Sequence, residues 1–281
     1  MLIGIVSAIS AAVAALTGWL AGAYTQPVRL WVLPVSFVGC FLLIAGLWYL
    51  MILIMTRAVD MDKVQEKDNS FYRLVATWTV GALVTVLRVR IRTKGMEKAP
   101  RSGRFLLVCN HLHDTDPIVL LHTFRKSQLA FVSKKENDSM KIIGPFMRKL
   151  LCQPINREND REALKTILRC IQLLKEDKVS MGVFPEGYCY PDKLLHPFRS
   201  GVFKIAQKAQ VPIVVCTVRN THYIYPNMRK LKPSRVELHL VDVIPAEALQ
   251  GRTAVDVAEQ VYALMAEDLG PALVLPREDV K

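Results

Sequence analysis

The sequence predicts an α/β domain, a mixed sheet flanked by helices, behind an N-terminal membrane hairpin. Apolar runs of strand length alternate with helical patterns after residue 88, which is typical of an α/β sheet. The hairpin is indicated by charge, because no charged residue precedes Arg29 and none lies between Arg29 and Arg57. At 281 residues the chain has room for one domain of roughly 200 residues and such an appendage.

Residues 1–57 contain two apolar stretches, 2–24 and 30–56, each longer than the ~20 residues that span a hydrocarbon core. The segment between them has room only for a turn, so we expect a two-helix membrane anchor. A signal peptide is the alternative for the first stretch, but no basic residue precedes it and a second apolar run follows. Gly18 and Gly22 form a small-xxx-small pair, which favours close approach of the two helices.

Pro34 stands near the start of the second apolar stretch, so the hairpin either spans the membrane or lies in it as a re-entrant wedge. The formal charge of +12 falls almost wholly after residue 56, which predicts a protein of the cell membrane whose large domain is on the cytoplasmic side. The basic surface then faces anionic lipids. We expect no nucleic-acid partner, since no nucleic-acid module is recognisable. The six cysteines form no C-x-x-C pair, which indicates reduced thiols.

After the anchor, residues 58–70 are polar and form a predicted linker to a domain over residues 71–281. Residues 71–87 predict an apolar helix that lies either at the membrane interface or in the core. Arg88, Arg90 and Arg92 alternate with apolar residues at the period of an edge strand. Further strands are predicted at residues 105–109, 129–133, 179–184, 211–218 and 236–244.

Two later helices are predicted, the first of them from a cap and an apolar face. Asn159 and Glu162 predict a capping box at the start of the first. Residues 253–269 predict a closing helix. The predicted apolar face of the first helix consists of Leu164, Ile167, Leu168, Ile171 and Leu174.

The polar cluster Asn110 to Asp116 directly follows a predicted buried strand. His111 suits the work of a general base near neutral pH, and Asp116 could hold its other ring nitrogen. His113 and Asp114 are rivals by proximity, and a plain helix cap is the non-catalytic interpretation. No Gly-x-Ser-x-Gly elbow is present, which favours direct transfer over a covalent intermediate. Cys109 and Cys189 are interpreted as packing residues.

A second predicted strand, residues 179–184, ends in Pro185-Glu186-Gly187. Two strand ends thus present polar groups at one edge of the sheet, where α/β proteins bind ligands. Cations that could bind a phosphate flank both ends. They are Lys134, Lys135, Arg157, Arg199 and Lys204.

The two motifs, His-x4-Asp at 111–116 and Phe-Pro-Glu-Gly at 184–187, resemble the first and third signature motifs of the glycerophospholipid acyltransferases, which include the 1-acylglycerol-3-phosphate acyltransferases. Residues 131–136 with 154–157 resemble the second block, and residues 211–213 resemble the fourth. Phe198-Arg199-Ser200-Gly201 stands where the family often has Phe-Lys-x-Gly. Four blocks therefore occur in the family's order between residues 89 and 218.

This resemblance implies a mixed sheet of the acyltransferase type and a catalytic pair, His111 and Asp116. It also implies acyl transfer to 1-acylglycerol 3-phosphate, with acyl-CoA or acyl-carrier protein as donor and neither a metal nor another cofactor. Membrane lipids and lysophosphatidic acid are the expected partners. Glu186 is expected to hydrogen-bond the acceptor or to orient Arg157. The full set of implied substrate-binding residues is Lys134, Arg157, Glu186, Gly187 and Arg199.

One departure concerns the residues after Phe-Pro-Glu-Gly, where the family commonly has Thr-Arg or Thr-Ser and this chain has Tyr188-Cys189. Glycerol 3-phosphate and other lysophospholipids therefore remain alternative acceptors. A metal-dependent hydrolase that uses His111, His113 and Asp116 is a different class, although its usual ligand spacing is not matched. A membrane-anchored binding protein without catalysis would tolerate replacement of His111.

Overall fold

The computed structural model describes residues 1–276 and forms a seven-stranded sheet preceded by a two-helix hairpin. The final five residues of the predicted 71–281 domain lie outside the described residues. The helices are α1 Leu2–Leu20, α2 Val32–Arg57, α3 Ser70–Val86, α4 Asp116–Thr123, α5 Ile143–Lys149, α6 Asp160–Lys175, α7 Lys204–Ala209, α8 Ile224–Arg229 and α9 Ala254–Leu269. The strands are β1 Val89–Lys94, β2 Leu106–Cys109, β3 Leu129–Lys134, β4 Gln153–Ile155, β5 Ser180–Val183, β6 Ile213–Arg219 and β7 Ser234–Ile244.

Helices α1 and α2 pack against each other, and both are long and apolar enough to cross a membrane. Gly18 lies at their contact, because a β-carbon there would collide with the side chain of Leu33. Gly22 does not share this role, which corrects the predicted pair: it follows the end of α1 with φ +67° and serves the turn. Pro34 lies in the first turn of α2, where N–H groups have no partner within the helix. Its missing N–H therefore costs no hydrogen bond, and the helix continues unbroken.

The base of the hairpin is attached to the sheet domain through α3. The Tyr72 hydroxyl donates a hydrogen bond to the Met55 carbonyl at 2.8 Å, and Trp48 stacks on Trp78. Helix α3 buries Val75 and exposes Phe71, so one of its faces packs in the protein, and the predicted membrane-interface position of the other face stays a prediction. Residues 58–69 contain no helix or strand.

The sheet has the order β1-β7-β6-β2-β5-β3-β4. All neighbouring strands are parallel except β6 and β7, which confirms the prediction of a mixed sheet. Strand β1 is an edge strand with Arg90 and Arg92 exposed, as their alternation indicated. The other edge, β4, was not predicted from strand patterns. It is three residues long and contains Pro154, which only an edge position tolerates.

Side chains on alternate positions of β2 enter two separate cores, one on each face of the sheet. Leu106 and Val108 pack in the layer that contains α6, α7 and α9. Leu107 and Cys109 pack in the layer that contains α4. Because the strand is buried on both faces, its sequence is a continuous apolar run instead of an alternating one.

The structure confirms the predicted closing helix and corrects the capping box predicted at Asn159. Thr253 and Asp256 form a complete capping box at α9. The Asn159 side chain caps α6, but the Glu162 carboxylate bonds Asn156 and Lys135, so the box predicted there does not close. The predicted apolar face of α6 is also partly wrong: Leu164 and Leu168 are exposed, and its buried residues are Cys170, Ile171, Leu173 and Leu174.

Candidate active site

Strands β2 and β5 are adjacent and parallel, so the segments that follow them emerge at the same edge of the sheet. Residues 110–116 follow β2, and residues 184–187 follow β5. The structure therefore brings together the two polar motifs that the sequence places roughly 70 residues apart along the chain, as predicted.

A single oxygen of Asp116 organises the first motif. The Asp116 Oδ2 atom lies 2.8 Å from Nδ1 of His111 and accepts the backbone N–H groups of Leu112 at 2.7 Å and His113 at 2.8 Å. Asp116 is fully buried and is the first residue of α4. Since a carboxylate only accepts hydrogen bonds, Nδ1 of a neutral His111 carries the hydrogen and Nε2 carries the lone pair.

The His111 ring is also held by stacking on an aromatic ring, and its backbone is held by the neighbouring Asn110. It stacks on Phe184, with ring centroids 4.2 Å apart, and Phe184 stacks in turn on Phe131. The Asn110 amide pairs with the backbone of Val218, donating to the carbonyl at 3.0 Å and accepting from the N–H at 2.7 Å. Asn110 and Phe184 thus position His111, a role that sequence analysis missed although both directly follow buried strands.

The two rivals for the catalytic pair lie elsewhere. The His113 ring contacts Tyr225 edge-on, and its Nδ1 lies 3.1 Å from the Thr115 hydroxyl. Asp114 is exposed. The structure therefore pairs His111 with Asp116 and not with Asp114. Within residues 1–276, no group of three or more His, Cys, Asp or Glu side chains is arranged to hold a metal ion.

Glu186 has an inward role that differs from the expectation. Its Oε1 accepts the backbone N–H of His111 at 2.7 Å, and its Oε2 accepts the backbone N–H of His196 at 3.0 Å. Both oxygens are thus engaged by backbone groups, not by Arg157. Burial raises the pKa of this carboxyl to about 8, although the two N–H donors act in the opposite direction. Glu186 thus links the segment after β5 to the backbone of His111.

Arg157 and Arg199 line a cleft of about 390 Å³ beside Phe184. Both guanidinium groups lie over the ring of Tyr188, with Cζ to centroid distances of 5.0 Å for Arg157 and 5.4 Å for Arg199. Gly187, at φ +80°, lies against Arg199, and a β-carbon there would crowd the Nε and Cδ atoms of the arginine. The second motif therefore needs glycine for its backbone conformation and for the approach of this cation.

The remaining predicted cations divide into two groups. Lys204 lines the same cleft. Lys134 and Lys135 do not line it, and they form exposed ion pairs with Glu136 and Glu162, each at 3.4 Å. The structure thus gathers Arg157, Arg199 and Lys204 from the cations that the sequence predicted for a phosphate.

The thiols near the motifs are not poised as nucleophiles. Cys109 is fully buried, and burial raises the pKa of its thiol well above the usual range. Burial also raises the pKa of the Cys189 thiol. Because the thiolate is the nucleophilic form, both shifts favour the packing interpretation.

Comparison with known protein families identifies the part of the chain that contains both motifs. A family model described as Acyltransferase matches residues 90–219, which include His111, Asp116 and all the predicted substrate-binding residues. Residues 90–219 therefore resemble an acyltransferase domain.

Several curated acyltransferases are similar to part of the chain. A 1-acyl-sn-glycerol-3-phosphate acyltransferase of Bacillus subtilis is 31% identical over 135 residues, which cover 47% of this chain and 65% of that protein. A chloroplastic one of Brassica napus is 28% identical over 193 residues, covering 66% of this chain and 54% of that protein. An uncharacterized acyltransferase of Schizosaccharomyces pombe is 26% identical and covers 67% of each. The similarity thus spans between about half and two thirds of these relatives.

A solved acyltransferase has the same fold. The crystal structure of the 1-acyl-sn-glycerophosphate acyltransferase PlsC from Thermotoga maritima superposes with a TM-score of 0.59 at 18% identity, covering 79% of this chain and 87% of that one. This likeness agrees with the mixed sheet flanked by helices.

Proposed function

We propose that this acyltransferase moves a fatty acyl group from an acyl thioester to the free hydroxyl of 1-acylglycerol 3-phosphate, which yields phosphatidic acid. The observation that carries the proposal is the pairing of His111 with a buried carboxylate at the same sheet edge as an arginine-lined cleft. The names of the relatives in Bacillus subtilis and Brassica napus support this acceptor.

In the proposed reaction, Nε2 of His111 takes the proton of the acceptor hydroxyl while the hydroxyl oxygen attacks the carbonyl carbon of the thioester. Asp116 stabilises the imidazolium that forms and keeps Nδ1 as the protonated nitrogen. The new ester forms as the bond from the carbonyl carbon to sulfur breaks. The imidazolium then returns the proton to the leaving thiolate, so the enzyme ends in its starting state.

The acceptor phosphate is proposed to bind Arg157 and Arg199 in the cleft, because guanidinium groups match phosphate oxygens in pairs. Gly187 supports this binding by leaving room for Arg199. Glu186 acts as a positioning residue through the backbone of His111. Lys134, exposed at the end of β3, stays a predicted contact for a charged substrate group.

The proposed donor is acyl-CoA or acyl-carrier protein, and the proton chemistry of the pair calls for no metal or other cofactor. We place the enzyme in the cell membrane with the sheet domain on the cytoplasmic side. Helices α1 and α2 support the membrane location by length and composition, and the concentration of positive charge after residue 56 supports the side.

Acyl transfer by the detergent-solubilised full chain tests the proposal. Palmitoyl-CoA and palmitoyl-carrier protein are supplied separately with 1-acylglycerol 3-phosphate, glycerol 3-phosphate or 1-acylglycerol 3-phosphocholine, and the products are identified by mass spectrometry. We expect phosphatidic acid from 1-acylglycerol 3-phosphate and no loss of activity with a chelator. Acyl transfer to glycerol 3-phosphate alone would show that the proposed acceptor is wrong. Loss of activity with the chelator would favour the metal-dependent hydrolase.

A further inference from the structure

Tyr188 has two guanidinium groups over one aromatic ring. Arg157 reaches the ring from the segment that follows β4, whereas Arg199 reaches it from the segment that precedes α7. One side chain therefore joins two cations that come from separate parts of the chain. Attraction between a guanidinium group and the face of an aromatic ring stabilises such a contact.

The two cations lie over the same ring, and neither is in direct contact with a carboxylate of the described residues. Burial lowers the pKa of the Arg157 guanidinium and the positive charge of Arg199 lowers it further, whereas Tyr188 and Glu136 act in the opposite direction. An arginine nevertheless stays charged in a protein. Neither guanidinium forms an ion pair with a carboxylate of residues 1–276. The ring of Tyr188 thus brings together two like charges that would otherwise repel each other, which is what a preformed anion site requires.

The cleft beside this pair has an excess of positive charge. Lys204 lines it together with the two arginines, and Asp160 is the one carboxylate among the described residues that line it. Such an excess suits a phosphate monoester, whose charge at pH 7 is about −1.5 to −2. A phosphodiester has a single negative charge, and its second ester group occupies an oxygen that a guanidinium would otherwise bind.

We infer that Tyr188 preorganises Arg157 and Arg199 as a binding site for a phosphomonoester dianion. Tyr188 thereby makes the enzyme prefer lysophosphatidic acid to lysophospholipids whose phosphate carries a headgroup. This inference rests on the proposed function for the identity of the acceptor. Tyr188 is a positioning residue, because it holds the groups that contact the phosphate. Its side chain is 43% exposed, so its replacement leaves the core intact.

Equilibrium binding without an acyl donor separates this role from catalysis. Titration calorimetry on the full chain compares 1-hexanoylglycerol 3-phosphate with 1-hexanoylglycerol 3-phosphocholine. We expect Tyr188→Leu to raise the Kd of the phosphate compound about tenfold and to leave the choline compound unchanged. Tyr188→Phe keeps the ring and should bind both compounds as the wild type does.

Tyr223→Leu is the matched control, since Tyr223 is similarly exposed and no lysine or arginine of the described residues lies over its ring. It should bind both compounds as the wild type does. In turnover, Tyr188→Leu should weaken apparent acceptor binding, seen as a higher KM, and leave kcat near that of the wild type, a split that misfolding does not produce.

Unchanged affinity of Tyr188→Leu for the phosphate compound would overturn the inference, and so would an equal loss for both compounds. Failure of the proposed function has a different signature. A wild-type enzyme that binds the phosphate compound tightly, but acylates it from neither donor, would support the dianion site and reject acyl transfer.

Discussion

The two sides of the site are built by different physical means. On the proposed catalytic side, His111 is held by one buried carboxylate that also accepts two backbone N–H groups. On the cation side, Arg157 and Arg199 are held over a half-exposed ring, with distances of 5.0 Å and 5.4 Å in place of direct hydrogen bonds. Directed hydrogen bonds fix the imidazole of the proposed general base, whereas contacts with one shared ring position the two proposed phosphate-binding cations.

The largest expected effect comes from Asp116→Asn, which changes the carboxylate on the catalytic side. The asparagine oxygen can still accept the N–H groups of Leu112 and His113, so the fold should be retained, but an amide stabilises the imidazolium poorly. We expect kcat to fall by roughly 10³- to 10⁴-fold. Steady-state kinetics measures this, with circular dichroism as the control for folding. A loss of less than about tenfold in kcat would contradict the orienting role.

The cation side should respond in KM instead. Loss of one charge-assisted hydrogen bond costs about 1.5–3 kcal/mol, so Arg157→Ala should raise the KM for lysophosphatidic acid by roughly 10- to 100-fold with a small change in kcat. Lys232→Ala removes an exposed cation elsewhere and controls for net charge. An unchanged KM for Arg157→Ala would show that the phosphate binds another group.

Glu186 links the two sides, and its effect is expected in stability. Its pKa is raised from 4.5 to about 8 in the folded state, so the folded protein binds this proton more tightly than the unfolded chain does. The stabilisation is therefore complete below pH 4.5 and is lost as the pH rises through about 8. Urea unfolding measures the free energy of unfolding of the wild type and of Glu186→Gln. We expect the advantage of the wild type to be larger at about pH 5 than at about pH 8.5. An equal difference at both pH values would contradict the raised pKa, because a hydrogen bond lost in the variant is lost at either pH.

The catalytic side was predictable from sequence because its residues are close along the chain. His111 and Asp116 are five positions apart, and an apolar run indicated the strand that precedes them. The cation side was only partly predictable, because its geometry depends on contacts between residues that are far apart along the chain. Tyr188 stood out as a departure from the family pattern, but nothing in the sequence indicated that two arginines lie over its ring.

The errors in the fold have similar causes. Strand β4 is too short to show a period, and its pairing with β3 defines it. The periodicity of α6 correctly indicated a helix, but exposed Leu164 borders the cleft, a position that no local pattern distinguishes from the core. Glu186 was expected at the acceptor because the family resemblance implied it, whereas two backbone N–H groups accommodate its carboxyl inside the protein.

The most direct test of the account compares His111→Ala with His113→Ala in acyl transfer to 1-acylglycerol 3-phosphate. The two histidines are neighbours in one segment, but only His111 contacts Asp116 through its ring. We expect His111→Ala to lose at least about 10³-fold in kcat/KM and His113→Ala to stay within about tenfold of the wild type. Substantial transfer by well-folded His111→Ala would contradict the assignment of His111 as the general base.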